Sequence, residues 1–223
     1  MSQSTLSHIS LRNEVVEAAK VLFGSGVMSR TGHANLSAKV GDDAMLLTMD
    51  GNVRDLTVDR LALVALDGTI LDGDLDPTNA EIVRMHSEVY EARPAVGAII
   101  HTHSPNLLAF ALANRELSIR YEALLRFGQA VNVPVVPWAP RGSERSVRGI
   151  LDTLTKHVDT SAVILGNHGV LVFGSGPLVA AGLLTVLEEA AEAEISAERI
   201  GGAVNFPVGA LADVRAAMES VRA

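Results

Sequence analysis

Residues 96–106 read VGAIIHTHSPN. A short apolar run leads straight into two histidines one residue apart, and a Ser-Pro pair follows. The run has the length of a buried strand, and Ser104-Pro105 has the form of an N-cap with proline at the first helical position. In a strand, residues two apart point to the same side. His101 and His103 would therefore present two imidazoles together where the strand ends. Imidazole is a common neutral ligand for zinc and other borderline metals, and a catalytic site needs about three protein ligands with one position left open. The bland alternative is a histidine pair hydrogen-bonded at a strand end.

A third histidine tips the balance toward a metal. In VILGNHGVLVFG (163–174), His168 lies in a polar Gly-Asn-His-Gly turn between two apolar runs. Asn and Gly would suffice for the bend, so the imidazole asks for another reason, a metal or a reaction. Glu81 is a fourth candidate, although TNAE (78–81) also fits a capping box with Thr78 as N-cap and Glu81 folding back. His86, His33, His8 and His157 carry weaker signals; His86 lies on a helix, where it would pack or face solvent.

Outward from these residues, the chain of 223 residues is long enough for one sizeable domain (1–223) with a real core. Apolar residues make up 48% and aromatics only 4%, so that core is aliphatic. A net charge of −8 argues against binding nucleic-acid phosphates. With no cysteine, neither a disulfide nor a Cys-ligated metal can form. MSQSTLSHIS (1–10) has no basic segment followed by an apolar one, so a cytoplasmic location is expected. The uncharged run 169–187 is long enough for a membrane span, but Gly174, Gly176 and Pro177 divide it into strand, turn and helix. The FGSGP turn there lacks the third glycine of a dinucleotide loop, and Pro177 removes a donor.

Apolar spacing predicts a helix over 11–25, a hairpin from HANLSAKV and AMLLT, and a strand at LALVAL (61–66). A polar stretch, DGTILDGDLDPTN (67–79), then precedes a helix over about 80–92. Further strands are expected at VPVVPW (133–138), SAVIL (161–165) and VLVF (170–173). Helices are expected over about 143–157, 177–199 and 209–221, the second stopped by Gly201-Gly202. Helices interleave irregularly with strands, some joined as hairpins. The fold class is therefore α/β with a mixed or antiparallel sheet.

Together these motifs resemble the class II aldolase/adducin-head family over roughly residues 10–200. GHANLSAK (32–39) resembles that family's Gly-Asn-Ile/Val-Ser strand, and LLTMDG (46–51) its Ile-Thr-Pro-x-Gly turn. The stretch 76–105 resembles its Pro-Ser-Ser-Glu helix followed by His-x-His. ILGNHGVLVFG resembles its third-histidine turn, and LEEAAE (187–192) its late helix. The resemblance implies a three-layer α/β/α fold around a mixed, largely antiparallel sheet. It implies a divalent metal on His101, His103 and His168, zinc foremost, with Mn, Fe, Co or Mg as alternatives. Glu81 matches the acidic residue that can ligate the resting metal and then act as general acid/base. A homotetramer is implied too, with Tyr121 near the position of a proton donor supplied by a neighbouring subunit.

The phosphate-docking region departs from the family pattern. Asn35 and Gly51 persist, but Asp50 stands where a threonine is usual, and the paired serines are replaced within Thr78-Asn79-Ala80. An aspartate beside a phosphate dianion is repulsive, so a non-phosphorylated small-molecule substrate is expected. Arg141, in WAPRGSER (138–145), has a planar fork suited to a carboxylate; the plainer reading is a solvated loop arginine. The expected activity is a metal-dependent lyase breaking a C–C bond through a metal-stabilised enolate on a hydroxy-carbonyl substrate. Alternatives are decarboxylation of a dihydroxylated aromatic acid, a sugar-phosphate epimerase or dehydratase, and a non-catalytic adducin-like scaffold.

Overall fold

The computed structural model describes residues 8–222. Helix α1 (Ile9–Gly24) precedes a hairpin of β1 (Ala34–Val40) and β2 (Ala44–Thr48), and a 3-10 turn at Val58–Arg60 leads into β3 (Leu61–Ala65). Then come β4 (Ile70–Asp72), α2 (Pro77–Ala92), β5 (Ala98–Thr102) and α3 (Pro105–Ala113). A short α4 (Glu122–Arg126), β6 (Val135–Val136), α5 (Glu144–Lys156), β7 (Ala162–Leu165) and β8 (Gly169–Gly174) follow. Helices α6 (Pro177–Ala197) and α7 (Ala210–Arg222) complete the order.

The eight strands form one sheet in the order β4-β3-β2-β1-β5-β8-β7-β6. Every neighbouring pair is antiparallel except β6 with β7. Because successive side chains alternate between faces, each strand feeds two cores. On one face Leu36, Ala98, Ile100 and Val172 pack against α1, α3 and α6 through Leu22, Leu107 and Leu184. On the other, Met45, Val64, Ile99 and Leu171 meet Ile82 and Val89 of α2 and Ile150 and Leu154 of α5. This is the expected three-layer α/β/α arrangement around a mixed, largely antiparallel sheet. The parity places Asn35, Ser37 and His101 on the α2 face and Thr102 on the α1/α3/α6 face.

Local expectations hold with specific corrections. The stretch 67–79 contains a strand, β4, whose pairing with β3 carries an irregularity at Leu63/Val64. VPVVPW contributes only two strand residues, because Pro134 and Pro137 flank them and cannot donate to a ladder. The run 169–187 does break into β8, turn and α6, and no helix among the described residues is long and apolar enough to cross a membrane. Gly174 there is explained by packing: a Cβ would lie 2.5 Å from the Ala180 backbone nitrogen. The capping box is not formed. Asp76 is the N-cap of α2, accepting from the Thr78 backbone N–H at 2.8 Å, with Pro77 at the first helical position. Glu81 lies beyond the first turn.

Arg12 of α1 is an unexpected core residue, 2% exposed. Its Nη1 donates to the carbonyls of Val58 (2.9 Å) and Leu61 (2.7 Å), and its Nη2 lies 3.4 Å from Asp72. Arg12→Ala should leave those buried acceptors and the carboxylate unpartnered. Urea unfolding is expected to show a loss of about 3 kcal/mol; a loss under about 0.5 kcal/mol would contradict that role.

Candidate active site

Strand β5 and the β7–β8 hairpin are neighbours in the sheet through β8, so their ends bring three imidazoles together. The ligand-capable nitrogens of His101, His103 and His168 all lie within 4.8 Å of one another. Ring centroids are 5.1 Å apart for His101–His103, 4.7 Å for His101–His168 and 5.2 Å for His103–His168. His101 Nδ1 is 2.9 Å from the Val170 carbonyl. A carbonyl only accepts, so Nδ1 carries the proton and Nε2 keeps a bare lone pair for a ligand.

Each residue of the Gly166–Gly169 turn has a separate reason. A Cβ on Gly166 would sit 2.5 Å from Asn114 Oδ1. Asn167 takes the left-handed φ of 54°, which asparagine tolerates. Gly169 packs so tightly that a Cβ would lie 2.6 Å from the Thr102 carbonyl oxygen and 2.8 Å from His103 Cδ2. The bend thus comes from its neighbours, and His168 is left to face the other two rings.

All three imidazoles are held neutral. Burial pushes His101 well below the ordinary histidine range, assisted by repulsion from His168 and His103 and opposed by the Val170 carbonyl. Burial, then His168, His33 and Arg141, lowers His103 to about 4. His168 is lowered by burial, then Arg141 and His33. Three neutral, convergent nitrogen donors are what a borderline divalent cation requires. The donor set therefore fits the metal expected from the resemblance.

Glu81 stands outside this cluster but lines a shared cleft with His101, His168 and Arg141. Its Oε2 is 3.8 Å from Arg141 Nε, and a Cβ on Gly142 would meet the Glu81 side chain at 3.0 Å. Arg141 Nη2 donates to the Thr78 carbonyl at 2.6 Å. The 141–142 turn is therefore docked on the start of α2, and its guanidinium is held beside the triad. The Thr78 hydroxyl donates to Asp76 at 2.5 Å, and buried Asn79 donates to the Thr48 carbonyl at 2.9 Å. Both groups tie down the start of α2.

A second cavity, which shares His168 with the first, is lined by Ser29, Arg30, Thr31, Pro105, His103 and His168. Asp50 is not an isolated anion: it pairs with Arg60 and accepts from the Asn52 N–H at 2.8 Å. The repulsion argued from sequence therefore loses much of its premise. Gly51 makes room for His33, since a Cβ would fall 2.5 Å from that ring. His33 in turn stacks on His103, 5.5 Å between centroids and 3° from parallel. Tyr121 is 39% exposed just before α4 and lines neither cavity.

Sequence reasoning undervalued His33 and His86. His33, Asn35 and Ser37 share one face by strand alternation, and Asn35 lies directly opposite His101 in the ladder. His86 sits among the apolar positions Ile82 and Val89 of α2, a setting that demands polar partners. It is fully buried, its pKa pushed down to about 3 by desolvation. A neutral buried histidine stabilises the fold above pH 6.5. As pH falls from about 6.5 toward about 3, the unfolded chain takes up a proton that the folded one refuses. Unfolding free energy should therefore fall with acid in that window, by up to about 1.4 kcal/mol per pH unit for this group. His86→Gln should flatten that dependence, and an unchanged slope would argue against it.

An α/β/α sandwich with a three-histidine centre where its central strands end defines a class of candidate metal-dependent enzyme. The model of the Class II Aldolase and Adducin N-terminal domain matches residues 13–195, and the chain belongs to that family. It is 32% identical over 169 residues to a 3-oxo-tetronate 4-phosphate decarboxylase of Haemophilus influenzae, covering 72% of this chain and 76% of that protein. It is 26% identical over 180 residues to a methylthioribulose-1-phosphate dehydratase of Pseudomonas syringae, with 76% and 86% covered. Among solved structures, YgbL from Escherichia coli aligns with a TM-score of 0.77 at 29% identity, covering 92% of this chain and 98% of that one. L-fuculose 1-phosphate aldolase aligns with a TM-score of 0.82 at 20% identity, covering 96% and 99%, and supports the fold.

Proposed function

We propose that this chain is a divalent-metal-dependent lyase that breaks a carbon–carbon bond beside a carbonyl, and that its reaction is decarboxylation of a 3-oxo acid. The observation that carries this is the convergence of three imidazoles, two of which, His101 and His168, line one cleft with the Arg141 guanidinium. The decarboxylase relative at 32% identity supports the choice among lyase reactions. His101, His103 and His168 would hold the cation, zinc first among the candidates. When bound, it would supply Lewis acidity, offsetting negative charge that develops on the substrate carbonyl oxygen.

The chain's own residues do the rest. Arg141, anchored at the Thr78 carbonyl, keeps other N–H groups free to orient the substrate carboxylate. The bond to that carboxylate breaks, carbon dioxide departs, and the electron pair left behind moves onto the carbonyl oxygen. Glu81, beside Arg141, would relay a proton from solvent to the carbon that has lost carbon dioxide. Tyr121 is an exposed candidate donor for a neighbouring copy's site within a tetramer. Asp50, already paired with Arg60, leaves room for substrates with or without a phosphate.

Zinc- or manganese-loaded protein incubated with 3-oxo-tetronate, with and without a 4-phosphate, should release one carbon dioxide per substrate consumed. Cleavage into two carbonyl fragments without carbon dioxide would replace this reading with aldol-type lysis. No turnover of any oxo or hydroxy acid by metal-loaded protein would remove it.

A further inference from the structure

We propose that helix α3 is the spacer that sets His103 against His168, with Asn114 and Glu188, one at each of its ends, as positioning residues of the three-histidine centre. His101 needs no such help. It lies inside β5, paired with Asn35 on one side and Leu171 on the other, and its Nδ1 is held at the Val170 carbonyl. His103 and His168 lie outside the ladders, because β5 ends at Thr102 and β8 begins at Gly169. The sheet brings their backbones together on one side, where Gly169 meets Thr102. A site held to within a fraction of an ångström needs support from a second rigid element.

One helix touches both residues' turns. α3 starts two residues after His103 and runs for nine residues, about 13 Å. At its far end Asn114 takes a left-handed φ of 49°, which ends the helix. Asn114 Nδ2 donates to Asn167 Oδ1 at 3.0 Å, and the Asn167 backbone N–H donates to the Ala111 carbonyl at 2.9 Å. A Cβ on Gly166 would lie 2.5 Å from Asn114 Oδ1, so the same side chain fills the space that this glycine leaves. The residue just before His168 is thus bonded twice to the end of the helix that begins just after His103.

Such a spacer fails if its first turn frays. Ser104 stands in the N-cap position but makes no side-chain cap bond, and its buried hydroxyl has no partner. The cap comes instead from α6. Glu188, 5% exposed, accepts at Oε1 from the Asn106 backbone N–H (2.7 Å) and side-chain amide (2.9 Å), and at Oε2 from the Leu107 N–H (2.9 Å). A carboxylate is costly to bury, and both of its oxygens serve this one turn, where the helix dipole favours negative charge. A serine cap would satisfy those donors from within the segment. A cap from α6 also ties the first turn to another helix and stops α3 from sliding along its axis.

This rests on the reading of the three histidines as a metal centre, and the test separates the two. Zinc affinity is measured by competition with a chromophoric chelator, and ligand geometry by the visible absorption of cobalt-substituted protein. Asn114→Gly keeps the left-handed turn, which glycine adopts freely, and deletes the amide. Its thermal unfolding without metal should stay close to wild type, while zinc binds at least about 10-fold more weakly and the cobalt bands shift. Glu188→Gln, which turns an NH2 group toward a backbone N–H, should weaken zinc by a similar factor; if it fails to fold, Asn114→Gly alone decides. Arg12→Ala, in the core beside β3 and β4, should lose stability yet keep wild-type zinc affinity and cobalt spectrum. Wild-type values of both in folded Asn114→Gly or Glu188→Gln would overturn the proposal. An equal loss of affinity in Arg12→Ala would overturn it too, since instability alone would then be the cause. Wild-type protein that takes up neither zinc nor cobalt would remove the metal reading itself, and the spacer with it.

Discussion

His168→Ala is expected to empty the centre without unfolding the chain. The substitution removes one of three nitrogen donors that share a 4.8 Å neighbourhood. Two imidazoles from His101 and His103 remain, too few for the three protein ligands typical of a catalytic cation. Bound metal measured after gel filtration should fall to about a tenth of wild type or less, and kcat/KM by roughly 10³-fold or more. The bend itself should survive, because Gly166, Asn167 and Gly169 meet its backbone requirements. Thermal unfolding of the variant should therefore match that of chelator-treated wild type. Full metal occupancy in His168→Ala would mean that the three rings do not form the centre.

Gly169→Ala is expected to damage fold and site together, from a single methyl group. The added carbon would stand 2.6 Å from the Thr102 carbonyl oxygen, 2.8 Å from His103 Cδ2 and 3.4 Å from His101 Cε1. The first neighbour is backbone and cannot swing away, so β5 and β8 must separate or twist. The loss of stability should be about 2–3 kcal/mol, as for overpacking at a tight contact. Displacing two ligating rings should weaken metal binding by roughly 10- to 100-fold. Gly24→Ala, at the end of α1 with nothing within 4 Å of the added carbon, is the matched control and should be neutral or mildly stabilising. Equal behaviour of the two variants would show that the close approach has no energetic weight.

Much of this was legible from the sequence because the strands end where the chemistry begins. The apolar run before His101 and the turn around His168 each announce a strand boundary, and alternation then fixes which side chains share a face. Partnerships between distant segments were less legible. Asp50 read as a lone anion because Arg60, which neutralises it, is attached to a different strand. Thr78 read as a helix cap, but Asp76, two residues earlier, does that work with Pro77 at the first helical position. His33 and His86 looked ordinary, since neither a stacked ring nor a buried hydrogen bond leaves a periodic trace. Arg12 lies on a helix whose apolar spacing says nothing of a buried cation; only the folded chain shows the carbonyls it serves.

The two ends of the strand order have a consequence for how copies of this molecule can meet. One border, β4, is three residues long, and the other, β6, is two and lies between prolines. Few unpaired backbone groups are left to recruit a foreign strand, so cross-β growth finds little template there. Among the described residues the helical layers and loops are the larger surfaces for self-association, and there side-chain complementarity rather than generic main-chain stickiness selects the partner.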